Sequence, residues 1–124
     1  MHTVLATSTF EKDAERARLS DDHIIDICVW LARNPRAGVV IPGTGGARKV
    51  RFRGRGRGKS GGYRTVHYFG GDDVPLFLLA LVDKGERSDL TKTQRNELAA
   101  VLPQIADAYR SGVGAKIAKS RRRT

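Results

Sequence analysis

Cations recur at every second position near the centre of the chain. Lys49, Arg51 and Arg53 alternate with Val50 and Phe52. Side chains of a β-strand point to opposite faces in turn, so this spacing predicts a strand with an apolar face toward the core and three cations on the other face. A row of cations on one sheet face suits a phosphodiester.

A second strand follows at residues 63–69 and brings a further cation. Its alternation places Arg64, Val66 and Tyr68 on one face. If the two strands pair through the glycine-rich turn at residues 54–62, Arg64 lies beside the row of Lys49, Arg51 and Arg53. Such a surface binds phosphate and stabilises charge that develops on its oxygens during displacement. RNA carries its own nucleophile, the 2′-hydroxyl, so cleavage and simple binding explain the spacing equally well.

Three other side chains, a histidine, a tyrosine and a cysteine, could take part in chemistry. The alternation puts His67 on the face opposite Arg64, which favours packing or a surface position over catalysis. Tyr68 shares the Arg64 face and is a candidate for stacking on a base or donating to phosphate. Cys28 lies on the apolar stripe of a predicted helix, which favours core packing over nucleophilic work.

Several site classes have no pattern in the chain. The sequence contains no HExxH motif, no paired CxxC and no carboxylate cluster suited to a divalent ion. The segment GRGKS at residues 56–60 lacks the glycine spacing of a phosphate-binding P-loop. We therefore predict neither a metal nor a cofactor.

The net charge of +10 is concentrated in two segments. Residues 48–64 hold eight cations and residues 110–124 hold six, with no acidic residue in either, while the rest of the chain has more acidic than basic residues. This polarity favours a polyanionic partner, nucleic acid before an acidic membrane surface, over a generally basic soluble surface. The single cysteine, the absence of an apolar run near 20 residues and an N-terminus without a secretion pattern predict a cytoplasmic protein without membrane attachment.

These residues need a scaffold, and the remaining patterns predict an α+β domain at residues 1–110. We expect a strand at 2–8, a helix capped by Thr9 that ends near Leu19, and a second helix from Ser20 to Asn34. Three antiparallel strands follow, the last at 76–82, apolar on both faces as in a central strand covered by helices on one side. A helix opened by the capping box of Thr91 and broken or kinked at Pro103 completes the domain, and residues 111–124 form a flexible basic tail.

Three segments in this order resemble RelE/HigB toxins of type II toxin–antitoxin systems. They are GGARKVRF at 45–52, GKSGGYRTVHY at 58–68 and DKGERSDLT at 83–91. The resemblance implies a microbial-ribonuclease-like fold and a metal-independent endoribonuclease that cuts mRNA in the ribosomal A site and leaves a 2′,3′-cyclic phosphate. By the same resemblance the catalytic cations are Lys49, Arg51, Arg64 and Lys84.

The chain departs from the family at two positions. Gly85 stands where RelE has an arginine after the lysine, and Thr91 stands where RelE has a catalytic tyrosine. The general base is therefore unassigned. Further RNA contacts are predicted for cations around the hairpin and after the last strand: Arg48, Arg53, Arg55, Arg57, Lys59 and Arg87. For Arg87, an ion pair with Glu86 or Asp89 is an equally good explanation.

The resemblance also implies partners. They are a cognate antitoxin, the ribosome with its mRNA, and operator DNA bound only through the antitoxin. Two alternatives remain at this point. One is a ParE-like gyrase poison with the same fold, and the other is a nucleic-acid-binding module without catalysis.

Overall fold

The computed structural model describes residues 2–53, 62–83 and 90–123, with side chains described for all of these except residue 83 and residues 113–123. The elements are β1 (Val4–Ala6), α1 (Ser8–Arg16), α2 (Asp21–Arg33), β2 (Val39–Val40), β3 (Arg48–Phe52), β4 (Tyr63–Tyr68), β5 (Leu76–Asp83) and α3 (Lys92–Arg123). This order confirms the predicted α+β class: a strand, two helices, a sheet and a C-terminal helix.

The five strands form one mixed sheet in the order β1-β5-β4-β3-β2. β3, β4 and β5 pair antiparallel, as predicted. β1 instead pairs parallel with β5, because the two helices that follow it return the chain to the same side of the sheet. The sequence predicted antiparallel pairing for the three later strands and made no prediction for the partner of the first strand.

Helices cover both faces of the sheet, whereas the apolar run of β5 predicted cover on one side only. On one face α1 and α2 enclose a core built from Phe10, Ala14, Ile27, Leu31, Val50, Leu76, Leu78 and Leu81. On the other face α3 packs on a second core built from Ile41, Ala47, Val66, Phe77, Leu79 and Leu102. The continuous apolar character of β5 follows from its position between two helical layers.

β5, which contributes to both cores, contains a β-bulge. Val66 pairs with Ala80 and His67 with Leu78, so Leu79 is an extra residue on the β5 side. Leu79 and Ala80 consequently both pack on the α3 side, while Leu78 packs on the α1–α2 side.

The helix starts follow from capping. The hydroxyl of Ser20 accepts from the backbone N–H of His23, at 3.1 Å, as predicted for α2. α1 is capped by Thr7 and not by Thr9, because the Thr7 hydroxyl both accepts from Phe10 N–H and donates to the carbonyl of Leu79 in β5. This tie to β5 shortens the predicted first strand, and α1 ends at Arg16, earlier than predicted.

The turn before β2 depends on one glycine. Gly38 has a φ of +86°, and a Cβ at this position would collide with the carbonyl oxygen of Lys49. β2 begins at the next residue and pairs with β3.

α3 is anchored at both ends of its packed half. Thr91 and Gln94 form the predicted capping box, with reciprocal bonds of 2.9 and 3.1 Å. Farther along, the Arg110 guanidinium holds both carboxylate oxygens of Asp73, at 2.6 and 3.1 Å, and the carbonyl of Gly70. This fork fixes the helix to the turn between β4 and β5.

α3 is one helix where the sequence predicted an interruption and then a tail. Pro103 lies inside it without splitting it, between Leu102 and Ala106, which are buried against the sheet. The helix continues through the predicted tail to Arg123. The domain boundary at residue 110 stays a prediction. Within the described ranges, none of the helices combines the length and apolar character needed to cross a bilayer.

Candidate nucleic-acid interface

The register of β3 and β4 brings three of the predicted cations to one face. Arg51 pairs directly with Arg64, and Lys49 pairs with Val66. Directly opposite residues in an antiparallel pair point to the same side. The structure therefore confirms that Arg64 lies beside the row of Lys49 and Arg51, and we call these three residues the cation cluster.

The packed half of α3 ends at the opposite end of this sheet face. Tyr109 of α3 packs edge-on against Phe77, and the Arg110 fork reaches the β4–β5 turn, at the end of the β3–β4 pair where Arg48 faces His67. The apolar contact with α3 extends as far as Val66 and Ala80. Beyond them, Arg51 is exposed and Arg64 is half-buried.

Electrostatics favour an anion at this position. Two arginines directly across a strand pair repel each other, which costs stability in the absence of a compensating charge. Lys49 and Arg64 also engage other groups of the chain. A phosphate bound between Arg51 and Arg64 would convert their repulsion into two charge-assisted contacts, which is the chemistry that the alternating sequence predicts.

Arg48 belongs to a different site. It pairs with His67 on the opposite face of the sheet, and its guanidinium donates to the carbonyl of Arg36 at 3.0 Å. A second, longer contact of 3.5 Å reaches the carbonyl of Gly38. We predicted that Arg48 binds RNA. The structure instead places its guanidinium against the loop that follows α2, because strand alternation puts Arg48 on the face opposite Lys49 and Arg51.

Tyr68 lies on the predicted face but is engaged in packing. It is half-buried against the α3 core, and a Cβ at Gly46 or Gly70 would come within 3.4 or 3.1 Å of its ring. These close backbone neighbours hold the ring in the second core. Tyr68 therefore does not join the cation cluster as a surface for base stacking.

His67 is a buried core residue on the face opposite Arg64, where the alternation left packing and a surface position open. Its Nε2–H donates to the carbonyl of Pro35 at 2.9 Å, and its exposure is 0%. Burial lowers the pKa of His67 below its ordinary value, the bond to Pro35 opposes this shift and nearby Arg48 reinforces it. The imidazole is neutral near pH 7 and lies on the wrong face to act on a phosphate at Arg64.

Thr91, at the position of the family tyrosine, has a structural role. Its hydroxyl accepts from the Gln94 backbone N–H to cap α3. Arg53 is exposed directly after β3. Five further predicted site residues lie outside the described residues: Arg55, Arg57, Lys59, Lys84 and Arg87.

One cation on the inner side of α3 is not predicted from the sequence. Arg95 is half-buried, and the partly or fully buried positions of α3 between Lys92 and Arg110 are residues 95, 98, 102, 105, 106 and 109. The spacing from Leu98 and Leu102 was a usable signal, but a search for apolar stripes does not include an arginine. Val101, although apolar, is exposed.

Metal-ligand side chains do not converge in the described ranges: no group of three or more His, Cys, Asp or Glu residues there could hold an ion. The cation cluster offers donors to an anion and no ligands to a cation. No protein-family model matches the chain.

Proposed function

We propose that this chain is a metal-independent endoribonuclease that cuts mRNA on the ribosome, the toxin of a toxin–antitoxin pair of the RelE/HigB type. The observation that carries the proposal is the direct pairing of Arg51 with Arg64 on one sheet face, with Lys49 beside them. The resemblance of the three sequence segments supplies the reaction and the ribosome.

The reaction needs little from the protein beyond charge and position. The RNA 2′-oxygen attacks the adjacent phosphorus, the bond to the 5′-oxygen breaks, and the products are a 2′,3′-cyclic phosphate and a 5′-hydroxyl end. Negative charge on the phosphate oxygens increases in the transition state. Arg51 and Arg64 stabilise that charge and Lys49 positions the phosphate, by contacts that strengthen as the charge develops.

The histidines of the described chain do not serve as the general base in this scheme. His67 is buried on the other face, and the His2 ring donates to the carbonyl of Val74. His23 is buried in α2 beside Tyr63, on the α1–α2 side of the sheet. The cation cluster thus contributes electrostatic stabilisation, worth on the order of 10²–10³ in rate for each key donor.

The proposed setting is the cytoplasm, where translating ribosomes present mRNA. An antitoxin with an acidic segment would silence the enzyme by covering the cation cluster, since neutralising these charges blocks phosphate binding. Operator DNA would be bound through that antitoxin.

Primer extension on mRNA in a translating extract tests the proposal. The wild-type chain is expected to cut within codons only while ribosomes translate, and chelation of free divalent ions from the purified toxin before addition leaves the cutting unchanged. Arg64→Gln and Lys49→Gln should lower the cutting rate on the order of 10²–10³-fold while circular dichroism shows the same fold.

Arg33→Gln is the matched control, because Arg33 is an exposed arginine in the last turn of α2, away from the cluster. It should cut like the wild type. Equal cutting by Arg64→Gln, Lys49→Gln and Arg33→Gln would refute a role for the cluster, and intact mRNA with broken DNA would indicate the gyrase poison instead.

A further inference from the structure

The C-terminal part of α3 leaves the sheet at a fixed point. The Arg110 guanidinium holds the carboxylate of Asp73, and soon after it Gly112 is exposed. A Cβ at Gly112 would meet no atom within 4 Å, so the helix has left the packed domain at this residue. The helix nevertheless continues to Arg123, about 20 Å farther along its axis than Arg110. We call residues 111–123 the basic helical extension.

The basic helical extension has many cations and no acidic residue, since the last acidic residue of the chain is Asp107. Positions 116, 119 and 123 follow one another at spacings of three and four residues, which places them on one side of the helix. Like charges at these spacings repel each other, and a bound polyanion relieves the repulsion. The cations of the extension are Lys116, Lys119, Arg121, Arg122 and Arg123.

The composition of the extension favours paired RNA among the polyanions. Proteins that hold single strands stack the bases on aromatic side chains, and the chain has no aromatic residue after Tyr109. Helices that lie on acidic membranes carry an apolar face of large side chains, whereas Val113 and Ile117 are the only large aliphatic residues of the extension. A surface that offers charge alone suits paired RNA, which is recognised mainly through its backbone.

The extension begins at the end of the sheet opposite the cation cluster. The Arg110 guanidinium also binds the carbonyl of Gly70, shortly after the end of β4 where His67 faces Arg48. Arg64 lies at the other end of β4, up to roughly 20 Å from Gly70 along the extended chain. This distance is longer than one nucleotide, so the extension and the cluster would contact different stretches of RNA.

We propose that the basic helical extension is a second RNA-binding site, which holds the phosphate backbone of paired RNA without reading its sequence. The assignment rests on the proposed function for the identity of this RNA, the paired stems of ribosomal RNA around the mRNA. The cation cluster acts on the scissile phosphate. The extension raises the affinity of the chain for the ribosome, because its contacts to a separate backbone add to those of the cluster.

Binding of a 2′-O-methyl RNA hairpin tests the site apart from catalysis, because this RNA lacks the attacking hydroxyl and cannot be cut. Fluorescence anisotropy over a range of salt concentrations is measured for the wild type and for the extension variant, which combines Lys116→Gln, Lys119→Gln and Arg123→Gln. The extension variant should bind about tenfold or more weakly. The slope of log affinity against log salt should become shallower by about 2–3, the value for three phosphate contacts on a duplex.

The matched control removes the same number of positive charges elsewhere. Lys12, Arg18 and Arg33 are exposed cations in and near α1 and α2, and the control variant combines Lys12→Gln, Arg18→Gln and Arg33→Gln. Glutamine forms helix about as well as lysine and arginine, so the helices persist in both variants. The control variant should bind the hairpin like the wild type. Equal weakening by both variants would overturn the site, because binding would then depend on net charge alone.

Cutting on translating ribosomes separates the two proposals. The extension variant should need about tenfold more ribosomes for half-maximal cutting at an unchanged maximal rate, whereas Arg64→Gln should lower the maximal rate. Weaker hairpin binding by the extension variant, with no mRNA cut by the wild type, supports the site and overturns the nuclease. Hairpin binding equal to that of the wild type overturns the site and leaves the nuclease proposal standing. Wild-type binding to vesicles that contain phosphatidylserine, but not to the hairpin, also overturns the site.

Discussion

The two ends of the β3–β4 pair use the same residue types for different purposes. At one end Arg48 faces His67, and both side chains donate to carbonyls of the loop after α2. At the other end Arg51 faces Arg64, and the pairing sets two positive charges side by side. Three residues along one strand thus separate an arginine that stabilises the fold from one that is placed to bind an anion.

The difference lies in what surrounds each end. The Arg48 end is closed by the residues that follow α2, where Pro35 accepts from His67 and the Arg36 guanidinium lies 4.9 Å above the Phe69 ring. At the other end Arg51 is exposed and Arg64 is half-buried. An arginine contributes to folding where its guanidinium binds carbonyls of the chain, as Arg48 does, whereas the exposed Arg51 is accessible to a ligand.

Substituting the two arginines of β3 one at a time tests this comparison most directly. Arg51→Gln should lower the mRNA cutting rate on the order of 10²–10³-fold and leave the free energy of unfolding nearly unchanged, because Arg51 is exposed. Arg48→Gln should do the reverse, with full cutting and a loss of about 1 kcal/mol of stability. Primer extension and urea unfolding measure the two effects, and loss of cutting in Arg48→Gln at full stability would contradict the division.

Gly38 tests the packing at the Arg48 end of the β3–β4 pair, because it lets the loop after α2 approach β3 next to Arg48. Gly38→Ala should lower the free energy of unfolding by about 2–4 kcal/mol, through the strain of a positive φ and the collision with the Lys49 carbonyl. Gly43→Ala is the matched control. Its φ is +77° but a Cβ there meets nothing within 4 Å, so only the backbone strain of about 1 kcal/mol applies. Equal losses in urea unfolding would show that the close approach is not limiting.

His67 gives the smallest expected effect, a dependence of stability on pH. Its pKa is lowered in the folded state, so the unfolded chain binds the proton more readily, and the free energy of unfolding should fall as the pH drops below the ordinary histidine pKa of 6.5. The contribution disappears above that pH, where both states are neutral. The free energy of unfolding, measured with urea at several pH values in this range, should depend less on pH in His67→Gln than in the wild type.

The strand pattern was readable from the sequence because it depends on local periodicity. The alternation of Val50 and Phe52 with cations predicted the two faces of β3, and the same rule correctly placed Arg64 beside these cations and His67 on the opposite face. Caps at Ser20 and Thr91 were equally local.

The remaining features depend on contacts between distant parts of the chain. The Arg48 guanidinium binds backbone carbonyls, which every residue carries, so side-chain types give no signal for it. The parallel pairing of β1 depends on where the helical hairpin returns the chain. Arg95 became visible only when the structure placed its Nε out of solvent on the inner side of α3.

The bulge at Leu79 restricts how this chain can change over time. Side chains alternate along β5, so the one extra residue sets the phase of everything after it. Deletion of Leu79 would remove the bulge and keep Leu81 in the α1–α2 core, because one of the two successive residues on the α3 side is lost. Insertion of one residue between Ala80 and Leu81 would instead turn Leu81 out of that core, so β5 should tolerate the loss of one residue at this point better than the gain of one.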